Sequence, residues 1–298
     1  MIHPSYLQKG DIVAIVSTAR KITSDKIIPA IKLLEKWGLQ VIIGETIGSE
    51  ENQFSGSDEK RIADFQQQLD NPKVKAIWCA RGGYGTVRLI DKLDFSAFKK
   101  QPKWIIGYSD ITVLHSHIHN FGIETLHATM PINIESNSQQ TLESLKKSLF
   151  GKNLSYEVSA DEKNKSGNAS GELVGGNLSV LYSLMGSNSS IKTDGKVLFI
   201  EDLDEYLYHI DRMCINLKRN GYFENLKGLV VGGMTDMHDN EIPFGKTAEE
   251  IILDCVSEYD FPVIFNFPAG HLDDNRTMIF GRKVTLDVGE IKSKITFM

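Results

Sequence analysis

The segment GYSDIT, Gly107–Thr112, places a serine between the apolar run Trp104-Ile105-Ile106 and a stretch, 110–120, that reads as a helix closed by Gly122. Ser109 thus falls at the C-terminal edge of an expected parallel strand, where open α/β sheets place their ligands. Two roles suit it there. Serine is a favoured N-cap, its hydroxyl accepting a free amide of the first turn. A strand–Ser–helix turn also exposes a nucleophilic hydroxyl and aims the amides of Ser109 and Asp110 outward, where the helix dipole favours developing negative charge. The spacing matches only the first half of G-x-S-x-G, because Ile111 stands where the second glycine belongs.

A nucleophilic serine needs an oxyanion cradle, a base and a group that orients the base. The stretch CARGGYG, Cys79–Gly85, follows the apolar run VKAIWC and should share a sheet edge with Ser109. Gly82, Gly83 and Gly85 let backbone amides approach a ligand closely. A phosphate loop is the competing chemistry, but the stretch fits neither G-x-G-x-x-G nor the P-loop, and a plain tight turn would look the same. Arg81 is the nearest cation along this loop; it suits a substrate carboxylate or an acid at a domain interface equally well.

Eight histidines are available as the base. His115, His117 and His119 crowd into HSHIH, yet they lack the H-E-x-x-H frame of a zinc site, so no metal is expected. His271 differs, because NFPAGHLDDNRT places it in a Pro/Gly loop just after the apolar run PVIFNF. Glu201 closes the run KVLFIE, a position from which a carboxylate can orient a base; Glu205, four residues on, is its rival.

Positioning these groups requires alternating elements. Strand-like and helix-like segments alternate from Asp11 to Gly122, which implies right-handed crossovers and a mostly parallel sheet covered on both faces. The expected fold class is α/β: a flavodoxin- or amidotransferase-like N-terminal sheet, then a smaller second α/β domain with mixed strands. The boundaries are residues 1–152 for the domain bearing the serine, 153–170 for a polar Gly/Ser-rich linker or exposed loop, and 171–298 for the domain bearing the acid and the histidine.

At 298 residues the chain can build two cores. A net charge of -6 with only paired lysines as basic runs argues against a nucleic-acid surface. Three scattered cysteines form no disulfide framework and fit a reducing compartment. The N-terminus lacks a secretory signal's apolar region and no segment reads as a membrane span, so a cytoplasmic protein is expected.

ARGGYGTVRLI, IIGYSDIT and PAGHLDDN, with GELVGGNLSVLYSL and LFIEDLDEYLYHIDRM, together resemble the LD-carboxypeptidase family of serine peptidases, which includes the microcin-C-immunity type. The resemblance runs from about Ile12 to Leu286. It implies a catalytic Ser109, His271 and Glu201, with the oxyanion held by the amides of Asp110 and Gly83. It also implies an active site between the domains, no cofactor, and release of terminal D-alanine from murein tetrapeptides during cytosolic wall recycling, by a homodimer. Two departures bear on specificity: TLHATMP replaces a T-x-H-G-P-M-like segment, and Ile279-Phe280 replaces a Leu-Pro-like pair. A peptidase acting on a peptidyl-nucleotide antibiotic would need the same three residues plus an aromatic platform, for which Tyr84 and Trp104 are available. A non-catalytic module binding a peptide or sugar is the alternative of another class.

Overall fold

The computed structural model describes residues 1–298. Thirteen strands follow one another: β1 Ile12–Val16, β2 Gln40–Ile43, β3 Val74–Cys79, β4 Trp104–Gly107, β5 Thr125–His127, β6 Ser155–Ser159, β7 Gly167–Asn177, β8 Val197–Leu203, β9 Gly228–Thr235, β10 Val263–Ile264, β11 Met278–Phe280, β12 Lys283–Val288 and β13 Lys292–Phe297. They build two sheets.

The first has the order β2-β1-β3-β4-β5-β11, parallel except for β11, which runs antiparallel to β5. The five-strand order 2-1-3-4-5 is that of flavodoxin-like sheets, and its direction of growth reverses between β1 and β3. The loops leaving the C-terminal ends of those two strands, including the Gly-rich one, therefore open a crevice. Buried runs such as Val13–Val16 and Trp104–Ile106 explain the strands, since each fully buried Ile or Val contributes ~1.5–3 kcal/mol.

The second sheet has the order β10-β9-β8-β7-β12-β13-β6. Its β10-β9-β8-β7 half is parallel and the remainder antiparallel, as expected for a mixed domain. It has seven strands against the six of the first sheet.

The segment 153–170 is not a loop between domains. Ser155–Ser159 is the edge strand β6, and β7 begins at Gly167. The strand escaped detection because an edge needs only one apolar face: Tyr156 and Val158 turn inward between exposed Ser155, Glu157 and Ser159. Nor does the second half keep to itself, because β11 completes the first sheet. One core cluster joins Trp78 and Trp104 of the first sheet to Phe199, Phe267 and Phe297 of the second half. No helix is long and apolar enough to cross a membrane.

Candidate active site

Ser109 lies directly beyond β4, at the first residue of a 3-10 turn (Ser109–Ile111) that leads into the helix Thr112–His119. Its φ is +63°, a left-handed conformation rarely adopted by a residue with a Cβ. The N-cap of that turn is Tyr108 and that of the following helix Ile111, so Ser109 occupies neither capping position. A non-glycine residue strained in this way costs of order 1–3 kcal/mol, and such strain collects at functional sites. The close approach of the Gly-rich loop makes the same point. A Cβ on Gly82 would sit 2.9 Å from the Cβ of Ser109, so only glycine lets that loop lie against the serine. Gly83 (φ +115°) follows, and the amides of Gly83 and Asp110 donate to no acceptor within the protein.

Glu201 is fully buried in β8, paired in register with Asn177 of β7. The loop after β10 folds around its carboxylate. Gly270 adopts φ +102°, and a Cβ there would lie 2.6 Å from Glu201 Oε2, so glycine is required for the approach. His271 Nδ1 lies 2.6 Å from that same oxygen, and the His271 amide donates to it at 3.2 Å. Thr235 donates to the His271 carbonyl at 2.9 Å, and Asn275 accepts from the Gly270 amide at 2.9 Å, fixing the loop from both ends. Burial is the largest single influence on the His271 imidazole and opposes its charge. The charge and hydrogen bond of Glu201, with the charge of Asp202, outweigh it and raise the histidine above its ordinary 6.5.

The halves meet through Tyr108, whose ring stands edge-on to that of His271 with centroids 4.8 Å apart. Tyr108 is in turn tied to Asn133 by its hydroxyl at 3.2 Å. A second tie is Thr112, which accepts the Asn177 amide at 3.0 Å; the Asn177 side chain donates to Asp202, next to Glu201, at 2.8 Å. Burial foremost, then the neighbouring Glu201 charge, pushes the Asp202 carboxyl up to about 7.

Other residues singled out in the sequence lie elsewhere. Glu205 binds His209 Nδ1 at 2.5 Å rather than His271 or the amides of the helix Leu207–Arg219. The HSHIH histidines diverge: His115 bonds Thr125 and Gly107, His117 bonds Ser189, and His119 faces Glu172 and Lys196. Trp104 is fully buried with its indole donating to Ser5, so it offers no platform to a base, whereas Tyr84 is exposed beside Phe54. Ile279 and Phe280 are core residues of β11.

Arg81 pairs with no acid. It donates to the Lys21 carbonyl at 3.0 Å, and burial, then the charge of Arg20, lowers its guanidinium pKa. Arg20 is a second cation at this loop, its Cδ 2.5 Å from where a Cβ on Gly83 would be. Sequence reasoning missed it, since β1 and β3 become neighbours only in the sheet.

Comparison with known proteins identifies the family and the fold. Residues 13–128 match the LD-carboxypeptidase N-terminal domain and residues 170–286 the LD-carboxypeptidase C-terminal domain. The chain is 36% identical to a probable murein peptide carboxypeptidase of Bacillus subtilis, covering 96% of this chain and 92% of that protein. It is 26% identical to the microcin C7 self-immunity protein MccF of Escherichia coli, over 97% and 94% of the two chains. The crystal structure of muramoyltetrapeptide carboxypeptidase from Oxalobacter formigenes superposes with a TM-score of 0.87 at 26% identity, covering 96% of this chain and 98% of that one.

Proposed function

The chain belongs to the LD-carboxypeptidase family of serine peptidases, and from that premise we propose that it releases terminal D-alanine from murein tetrapeptides by hydrolysing the L,D-amide bond. Ser109 is the nucleophile, His271 the base and Glu201 the acid that orients it. The observation that carries this reading is the 2.6 Å bond from His271 to the buried Glu201, held one aromatic ring from the strained Ser109 turn. The names of the Bacillus and Oxalobacter relatives support the substrate class.

In this reading Glu201 accepts a hydrogen bond from the Nδ1–H of His271, which leaves Nε2 unprotonated and free to take the Ser109 proton as Oγ attacks the carbonyl preceding D-alanine. The free amides of Gly83 and Asp110 receive the oxyanion; each such donor is worth about 10²–10³ in turnover. His271 then protonates the departing amine and activates the water that clears the acyl-enzyme. The scheme uses no metal or cofactor. Its setting in our reading is the cytoplasm, as a homodimer.

Ser109→Ala tests it. Turnover of purified murein tetrapeptide should fall by roughly 10⁴–10⁶ with the fold intact. A folded variant retaining a tenth of wild-type turnover would overturn the assignment. A serine-directed fluorophosphonate that labels Ser109 also separates an enzyme from a peptide- or sugar-binding module. The exposed Tyr84 beside Phe54, and the resemblance to the self-immunity protein, favour a second reading in which the substrate is a peptidyl-nucleotide. Comparing kcat/KM for the two substrates decides between them.

A further inference from the structure

Asp110 has a backbone that faces the site and a side chain that does not. Its carboxylate is 4% exposed and accepts the Thr86 amide at 2.9 Å, with the Gly85 amide and the Thr86 hydroxyl also facing it. Thr86 is the first residue of the 3-10 turn beyond the Gly-rich loop, and its hydroxyl shares a 2.8 Å hydrogen bond with Thr18, on the loop leaving β1. Beneath them lies Arg61, fully buried, donating to the Thr18 carbonyl at 2.6 Å and ion-paired with Asp58. A Cβ on Gly85 (φ +142°) would fall 2.4 Å from Arg61 Nη1, so the loop closes down on that guanidinium. One carboxylate thus joins the far end of the Gly82–Gly85 loop to the residue after Ser109.

We propose that the Asp110 side chain is a positioning residue that sets the spacing between the Gly83 and Asp110 amides, and so shapes the oxyanion site from behind. The proposal rests on the reading of Ser109 as nucleophile. An oxyanion site works only if its donors are held where the charge will develop, before it develops. The two amides belong to different loops after different strands, and Ser109 itself offers no hydrogen bond to bind one loop to the other. The Asp110–Thr86 joint does, from a position where it never touches substrate. A carboxylate suits the task better than a neutral acceptor. It can take several amide and hydroxyl donors at once; burial raises its pKa, and the Thr86 and Gly85 donors, then the Arg61 charge, oppose that rise.

The consequence is a defect confined to the transition state. In Asp110→Ala, kcat on murein tetrapeptide should fall about 10²–10³-fold, as when an oxyanion donor is lost, while KM changes by less than about threefold. The rate at which a fluorophosphonate forms its tetrahedral adduct, with Ser109 Oγ bonding to phosphorus as fluoride leaves and His271 takes the proton, should fall in parallel. Affinity for the tripeptide product should stay within about threefold. Asp110→Asn keeps one acceptor for Thr86 and should recover at least a tenth of the lost rate. Thr86→Val keeps the amide donor but removes the hydroxyl that faces the carboxylate, and serves if Asp110→Ala does not fold; it should lower kcat about tenfold at constant KM. A folded Asp110→Ala or Thr86→Val with wild-type kcat overturns the proposal, as does an equal loss of product affinity and kcat. Ser109→Ala, run alongside, keeps the two readings apart. If it stays active the nucleophile assignment fails, whereas an inactive Ser109→Ala beside a fully active Asp110→Ala sinks only the positioning role.

Discussion

The rings of Tyr108 and His271 meet edge-on with centroids 4.8 Å apart, although they lie 163 positions apart in the chain. The residue just before the candidate nucleophile is therefore a wall of the candidate base. An edge-to-face pair of this kind is worth about 0.5–1.5 kcal/mol beyond its buried area. Here its effect is geometric. It seats the loop after β10, which belongs to the second sheet, against the end of β4 in the first. Neither sheet holds the three residues alone.

Glu201 and Glu205 are the two glutamates that follow the apolar part of β8, and their partners separate them. Glu201 is fully buried against His271, and Glu205 bonds His209. Glu201→Gln is expected to lower kcat by about 10⁴, because the amide no longer holds the productive tautomer or balances the imidazolium. Glu205→Gln breaks a half-exposed pair and should cost at most ~1 kcal/mol of stability, with turnover unchanged. Steady-state kinetics and thermal melts of both variants check this; the reverse pattern would move the acid by one helical turn.

The raised His271 pKa fixes the sign of the pH dependence. In the proposed mechanism His271 acts in its base form, which protonation removes, so the acid limb of kcat/KM should lie above 6.5, the ordinary histidine value. The stabilising contribution of the charged pair is fully present below 6.5 and is lost as pH rises through the folded value. Glu201→Gln removes the main raising influences and leaves burial, so the His271 titration should move downward. NMR titration of the imidazole reads this directly; an upward move would show that Glu201 does not govern the ring.

How much of this was legible in the sequence depended on what each residue had to reveal locally. Ser109, Glu201 and His271 each end an apolar run or follow one, and that pattern is visible without a structure. The helix Gln139–Leu149 was not, because its buried face carries Thr141, Ser144 and Ser148 beside Leu145 and Leu149. Hydroxyls break the apolar period, yet here they serve the packing: Ser144 accepts the Thr277 amide at 2.9 Å just before β11. β11 is three residues long and antiparallel, joined to the first sheet by a return from the second half, a pairing that periodicity cannot encode. The role of the Asp110 side chain was equally hidden, since Thr86 lies on a different strand's loop.

Thr112 offers a test of how the halves are joined. It accepts the Asn177 amide at 3.0 Å, and Gly176 beside it has φ +141° with no room for a Cβ against the threonine hydroxyl. Thr112→Val keeps the volume and removes the acceptor, leaving a buried amide unpaired at a cost of ~1–3 kcal/mol. The melting temperature should fall by roughly 2–4 °C for each kcal/mol lost. Turnover should fall with it, because Asn177 is linked through Asp202 to the strand bearing Glu201. An unchanged melting temperature would mean that the two halves are held by their shared core alone.

Arg20 and Arg81 are the two candidates to hold the terminal carboxylate of the proposed substrate, and their present partners favour Arg20. Arg81 is half-buried, its guanidinium donating to the Lys21 carbonyl, and with Lys21, Lys26 and Ile132 it lines a recess of about 320 Å³ to which Ser109 does not contribute. Arg20 is exposed, with its stem against Gly83, so its head is free to reach whatever the Gly-rich loop holds. A charge-assisted bond to a carboxylate at such a half-wet site is worth on the order of 1.4 kcal/mol, or tenfold in affinity. Arg20→Gln should therefore raise KM for murein tetrapeptide roughly tenfold with little change in kcat. Arg81→Gln should act mainly on stability, since it disturbs the packing of the loop rather than a ligand contact. The tenfold difference should shrink as salt is raised, because exposed charge pairs are screened over about 8–10 Å near physiological ionic strength. A KM effect in Arg81→Gln with none in Arg20→Gln would return the carboxylate to Arg81.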